Sequence, residues 1–60
     1  MSALDDAREH FERGLTDLAD GDVFNAADHI GQGLDICAST IVDADERVEF
    51  VRSVLEAGRG

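Results

Sequence analysis

The stretch from Val23 to Ile41 has the pattern that most constrains how this chain can fold. Its polar side chains recur at steps of three and four residues, so on a helix they lie along one narrow stripe. Almost every other position in the stretch is apolar or small. A helix that is apolar around most of its circumference is covered by neighbours on more than one side. We therefore predict a central helix over residues 23–41, whose polar stripe consists of Asn25, Asp28, Gln32, Asp35 and Ser39.

A first helix is predicted over residues 3–20, where apolar side chains follow the spacing of one helix face. Ser2 followed by Asp5 is typical of a helix N-cap, and an acidic first turn suits the helix dipole. Gly21 supplies the left-handed conformation that ends a helix, and Asp22 is expected to cap the next one.

A third helix is predicted over residues 43–57, behind a second capping pattern from Asp43 to Glu46. No segment alternates between apolar and polar residues as a strand does. The predicted fold is therefore all-α: a three-helix unit within one small domain of residues 1–60, made of an antiparallel hairpin and a C-terminal helix. We expect oligomerisation to complete it, because a chain this short buries only about 60% of its unfolded surface. The predicted core is Phe11, Leu15, Leu18, Phe24, Ile30, Leu34, Cys37, Val51 and Leu55.

The charge of the chain limits the partners that it can have. Fourteen acidic residues stand against five basic ones, all arginine, giving a net charge of −9. Such a surface repels the phosphates of nucleic acids, and no apolar run is long enough to cross a membrane. The composition resembles that of haloarchaeal proteins, in which salt screens an acidic surface. This resemblance implies a cytoplasmic protein adapted to high salt.

A weak internal repeat links the first two helices. Residues 10–15 match residues 29–34 at an offset of 19, with His, Gly and Leu at equivalent positions. In a helical hairpin, small residues at matching heights let the two axes approach closely. We expect Gly14 and Gly33 to form that pair.

Residues 7–36 resemble a single tetratricopeptide repeat. The resemblance rests on small and apolar residues at that motif's positions, namely Gly14, Gly21, Ala26, Ile30, Gly33 and Leu34. It implies a helical hairpin that makes protein contacts. At least three such repeats are needed to build the peptide-binding groove of the family.

Residues with reactive side chains are few and scattered. Cys37 lies on the apolar face of its helix with no basic residue nearby, so we expect a buried structural thiol. His10 and His29 would face each other across the hairpin, but no further ligands at zinc-site spacing accompany them. Whether they bind a metal is left open by the sequence. We predict no enzymatic activity, no cofactor and no small-molecule ligand.

These observations favour a non-enzymatic helical protein–protein interaction module, either a homodimer or a small subunit or adaptor of a larger complex. The predicted interface consists of Ile36, Phe50, Phe24 and Val54. One alternative is an acidic decoy that occupies the site of a nucleic-acid-binding protein, since residues 3–22 carry a net charge of −5. Another is a three-helix transcriptional regulator, although its recognition helix, residues 43–60, would carry a net charge of −2.

Overall fold

A computed structural model of the protein describes residues 2–58, which form three α-helices joined by short turns. Helix α1 spans Ala3–Ala19, α2 spans Val23–Thr40 and α3 spans Ala44–Gly58. The predicted all-α three-helix fold is confirmed, and every helix boundary lies within one residue of its expected position. α1 and α2 pack closely as an antiparallel hairpin, and α3 folds back onto α1.

Local capping interactions set the start of α1 and the turn into α2. The Ser2 hydroxyl accepts a hydrogen bond from the Asp5 amide at 3.1 Å, and the Asp5 carboxylate accepts one from the Ser2 amide at 3.3 Å. Gly21 has a φ of +83°, the left-handed conformation that glycine adopts without strain. The Asp22 carboxylate then accepts a hydrogen bond from the Asn25 amide at 3.2 Å. These three predicted signals are confirmed.

Gly14 allows the two helices of the hairpin to approach closely. A Cβ atom at this position would lie 2.6 Å from Cγ1 of Ile30 and 3.1 Å from the carbonyl oxygen of Ala26. Carbon atoms in contact normally lie about 3.5–4.0 Å apart. The backbone of α1 at this height therefore occupies space that any other residue would need for its side chain.

Gly33 plays the same part on α2, but against a different turn of α1. Its Cβ would lie 3.1 Å from the Phe11 ring and 3.2 Å from the carbonyl oxygen of Ala7. The two glycines are therefore not opposite each other, as we had expected; each lies against an alanine and a larger apolar residue of the other helix. The internal repeat explains this arrangement, because the offset of 19 residues relates Ala7, Phe11 and Gly14 to Ala26, Ile30 and Gly33.

α3 begins behind Asp43, whose carboxylate accepts a hydrogen bond from the Glu46 amide at 3.3 Å. The helix is anchored by Val54, which is 2% exposed and packs in one cluster with Ala7 and Phe11 of α1. Ile30, Ile36, Phe50 and Val51 are half-buried around this cluster.

The prediction that α2 is the central helix is wrong. α1 is the helix that contacts both others, whereas α2 and α3 touch only marginally. Because α3 is anchored on α1, one side of α2 has no neighbour within the described chain. Four residues predicted to lie in the core are exposed: Phe24 at 91%, and Leu18, Leu34 and Leu55 at about half. Of the remaining five, Phe11 and Cys37 are buried, and Leu15, Ile30 and Val51 are half-buried.

Candidate interaction surface

Three of the four predicted interface residues lie within the fold of the single chain. Val54 is buried, and Ile36 is half-buried against the core cluster. The Phe50 ring lies 6.4 Å from the Phe11 ring, and the Arg8 guanidinium lies 5.4 Å above Phe50. Phe50 is therefore covered on one side by an aromatic neighbour and on another by a cation. Val54 offers no surface to another molecule, and Ile36 and Phe50 offer only part of theirs.

Phe24 is the predicted interface residue that is open to solvent. It lies on the first turn of α2 and is 91% exposed. A single exposed apolar residue is ordinary in a folded protein. Phe24 is not single, however, because it begins a row of apolar and small residues along α2.

We call this row the α2 stripe; it consists of Phe24, Ala27, Gly31, Leu34 and Ala38. Its members follow one another at steps of three and four residues, the spacing of one helix face. Leu34 is about half exposed, and a Cβ added at Gly31 would meet no packing neighbour within 4 Å among residues 2–58. Gly31 costs about 1 kcal/mol relative to alanine inside a helix. Unlike Gly33, it permits no close contact with another helix of the described residues.

A groove of about 670 Å³ runs between α2 and α3 along the C-terminal half of the stripe. Its floor and walls are mainly apolar. A smaller cleft of about 260 Å³, lined by apolar side chains alone, lies between all three helices and shares Leu34, Val51 and Leu55 with the groove. The bundle is thus left incompletely filled on the side where α2 and α3 diverge. The apolar groove residues are Leu34, Cys37, Ala38, Val48, Val51 and Leu55.

The rim of the groove has two of the five arginines of the chain. Arg52 pairs with Glu49 at 3.0 Å, and Nη2 of Arg47 donates to the Val42 carbonyl at 3.0 Å. Nε of Arg47 is buried and has no acceptor. Between Arg13 and Arg47 the sequence contains no basic residue. The rim also includes the carboxylate of Asp35, so it carries charges of both signs.

The two histidines lie together, as the hairpin pattern predicts. The ring centroids of His10 and His29 are 6.0 Å apart, and Nδ1 of His29 lies 2.8 Å from a carboxylate oxygen of Asp17. Among residues 2–58, no group of three or more metal-ligating side chains comes together. Cys37 is buried, as expected for a structural thiol.

The spacing of apolar residues on α2 identifies the exposed face, but the sequence analysis places two of its residues, Phe24 and Leu34, in the core. The 3–4 spacing of the α2 stripe shows which residues share a face, but it does not show whether the same chain covers that face. None of the three helices described here is long and apolar enough to cross a lipid bilayer. Comparisons with protein-family models, with curated proteins and with solved structures find no match to this chain.

Proposed function

We propose that this protein is a non-enzymatic helical interaction module, acting as a homodimer or as a small subunit of a larger complex. The observation that carries the proposal is the exposed apolar surface formed by the α2 stripe and the α2–α3 groove. Phe24 of the stripe is 91% exposed, and Val48 of the groove is 53% exposed. A contiguous apolar patch with a charged rim is typical of a protein-binding surface.

The α1–α2 hairpin supports the proposed likeness to a tetratricopeptide repeat. Gly14, Ala26 and Gly33 lie at the crossing of the two helices, where that motif also has small residues. A single hairpin lacks the concave groove of a repeat array. In this proposal the contact surface is therefore the open side of α2 and not the inner face of a superhelix.

We also propose that the protein works in a salty cytoplasm. At a net charge of −9, association with another acidic chain is opposed by repulsion. The screening length falls from about 10 Å at 0.1 M salt to about 3 Å at 1 M. Molar salt would therefore favour both folding and association of this chain.

Light scattering on the purified protein in molar salt tests the proposal. A mass above that of the 6.4 kDa monomer is expected. It should return to the monomer value in the double variant Phe24→Glu/Val48→Glu, which makes the exposed apolar surface charged. The control is Thr16→Glu, which adds a negative charge at an exposed position of α1 and should leave the mass unchanged. A folded monomer that also binds no other protein at this surface would refute the proposal.

A further inference from the structure

We propose that the occupant of the open side of α2 is a second copy of this chain, whose α2 packs antiparallel against the first, with Gly31 at the two-fold axis. The inference rests on the proposed function, and it specifies the partner and the register. Each copy would insert Phe24 into the α2–α3 groove of the other. Three independent features of the described residues support this arrangement.

The first feature is the match of side-chain sizes along the α2 stripe. In an antiparallel pair centred on Gly31, Phe24 of one copy lies at the height of Ala38 of the other, since each is seven residues from the axis. Leu34 likewise lies within one residue of the height of Ala27. Large side chains thus meet small ones along the contact. Self-complementarity of this kind is what a two-fold symmetric interface requires.

The second feature is the open backbone at Gly31. Close approach of two helices requires small residues where their axes cross. Gly33 performs this part inside the hairpin, against Phe11. Gly31, at the midpoint of the stripe, faces space that residues 2–58 leave empty. A second helix at this point would use the close approach that glycine allows.

The third feature is the position and charge of the groove. At a rise of 1.5 Å per residue, Phe24 of the second copy would lie about 10 Å from the axis. Ala38 at that height is a groove residue, beside Cys37 and across from Val48. The incoming end of α2 carries acidic side chains and no arginine or lysine. The groove rim holds two arginines, Arg47 and Arg52, against one lining carboxylate, Asp35. Arg52 is already paired with Glu49, so Arg47 is the cation that would face the incoming acidic end. The acidic residues at that end are Asp20, Asp22 and Asp28.

The same register brings two carboxylates close together. Asp28 of one copy lies near the height of Asp35 of the other, and each chain has a net charge of −9. Both effects oppose association at low ionic strength and weaken as salt screens them. The dimer should therefore form more strongly in molar salt than in 0.1 M salt.

Analytical ultracentrifugation over a range of concentrations in molar salt tests the dimer. The wild-type chain should sediment as a monomer–dimer equilibrium. Gly31→Gln should raise the dissociation constant about 100-fold or more, because a long side chain at the axis separates the two helices along their whole contact. Phe24→Gln should raise it about 10- to 100-fold. The control Ser39→Gln makes a comparable enlargement on the polar stripe and should leave the dissociation constant unchanged.

Disulfide cross-linking tests the register even if one of these variants fails to fold. In a Cys37→Ala background, Gly31→Cys should form a disulfide with itself, and a mixture of Phe24→Cys and Ala38→Cys chains should form the mixed disulfide. Such bonds require Cα atoms about 4.4–6.8 Å apart. Ser39→Cys should not cross-link.

The outcomes separate this inference from the proposed function. A dimer that persists in Gly31→Gln and does not cross-link at residue 31 would overturn the register, while association itself would stand. A wild-type monomer that binds a different protein through Phe24 would overturn the second copy as occupant and leave the proposed function intact. A folded monomer with no partner would refute both.

Discussion

Replacing Gly14 with alanine should destabilise the protein, although the same change usually stabilises a helix. Alanine is better than glycine inside a helix by about 1 kcal/mol. At Gly14, however, the new Cβ would lie 2.6 Å from Cγ1 of Ile30, about 1 Å inside normal contact distance. Cγ1 is bonded directly to the branched Cβ of Ile30, so it cannot move far without a change of rotamer. The Ala26 carbonyl oxygen at 3.1 Å blocks movement of the helix in that direction.

The expected size of the effect follows from these two opposing contributions. Overpacking a close contact costs about 1–3 kcal/mol, including an off-rotamer side chain. After subtracting the helix propensity of alanine, Gly14→Ala should lower the free energy of unfolding by about 1–2 kcal/mol. For a domain of this size, that corresponds to a fall in Tm of about 5–15 °C.

Urea unfolding followed by circular dichroism, in molar salt and at several protein concentrations, measures this change. Gly31→Ala is the matched control, because its Cβ meets no atom within 4 Å. Under dilute conditions that keep the chain monomeric, this control should stabilise the protein by up to about 1 kcal/mol. The two glycines lie in different helices but undergo the same chemical change. Equal stabilisation by both substitutions would refute the packing argument.

A double-mutant cycle identifies the contact responsible. Ile30→Ala removes the atom that the new Cβ would meet, so Gly14→Ala should cost less in that background than in the wild type. The two substitutions should therefore be non-additive, by about 1 kcal/mol or more. Strict additivity would mean that the cost of Gly14→Ala arises elsewhere, for instance from the Ala26 carbonyl.

Three further predictions test the core, the first cap and the surface charge. Val54→Ala should lower the free energy of unfolding by about 2 kcal/mol, because Val54 is 2% exposed. Val48→Ala, at a position that is 53% exposed, should change it by less than about 0.5 kcal/mol when the chain is dilute enough to stay monomeric. Similar urea midpoints for both variants under that condition would contradict the placement of α3. Ser2→Ala should lower the free energy of unfolding by about 1 kcal/mol, because it removes the hydroxyl that accepts a hydrogen bond from the Asp5 amide. An unchanged urea midpoint would show that the capping box does not stabilise the protein. The helical circular-dichroism signal in the far ultraviolet should rise between 10 mM and molar salt, because salt screens the repulsion in a chain of net charge −9. A full helical signal at 10 mM salt would rule out salt-dependent folding.

The helix boundaries could be predicted from the sequence because their causes are local. Ser2 and Asp5 satisfy each other's backbone amides across three residues, and Gly21 adopts the left-handed conformation with no help from other helices. Asp22 then caps the next helix through the Asn25 amide. None of these interactions depends on how the three helices are arranged.

The arrangement of the helices was less predictable because it depends on contacts distant in sequence. Val54 and Phe50 anchor α3 on α1, and this choice leaves the opposite side of α2 uncovered. The sequence predicts Val51 and Leu55 as core residues and Val54 as an interface residue, whereas in the structure Val54 is buried and Leu55 is about half exposed. Only the register between helices decides which of several similar apolar side chains is buried, and hydrophobic spacing does not contain that register.

The two glycines of α2 differ in whether contacts within the described residues explain them. Both lie inside the helix and both cost about 1 kcal/mol relative to alanine. At Gly33 that cost is matched by the close packing of Phe11 and Ala7, so the fold of a single chain explains it. At Gly31 no packing contact within residues 2–58 offsets that cost. The residue lies midway along an apolar helix face, beside an unfilled groove. In the hairpin and in the proposed dimer, a glycine of α2 would allow a second helix to approach closely, on two different sides of α2. Two such contacts account for the apolar circumference of α2 better than either contact alone.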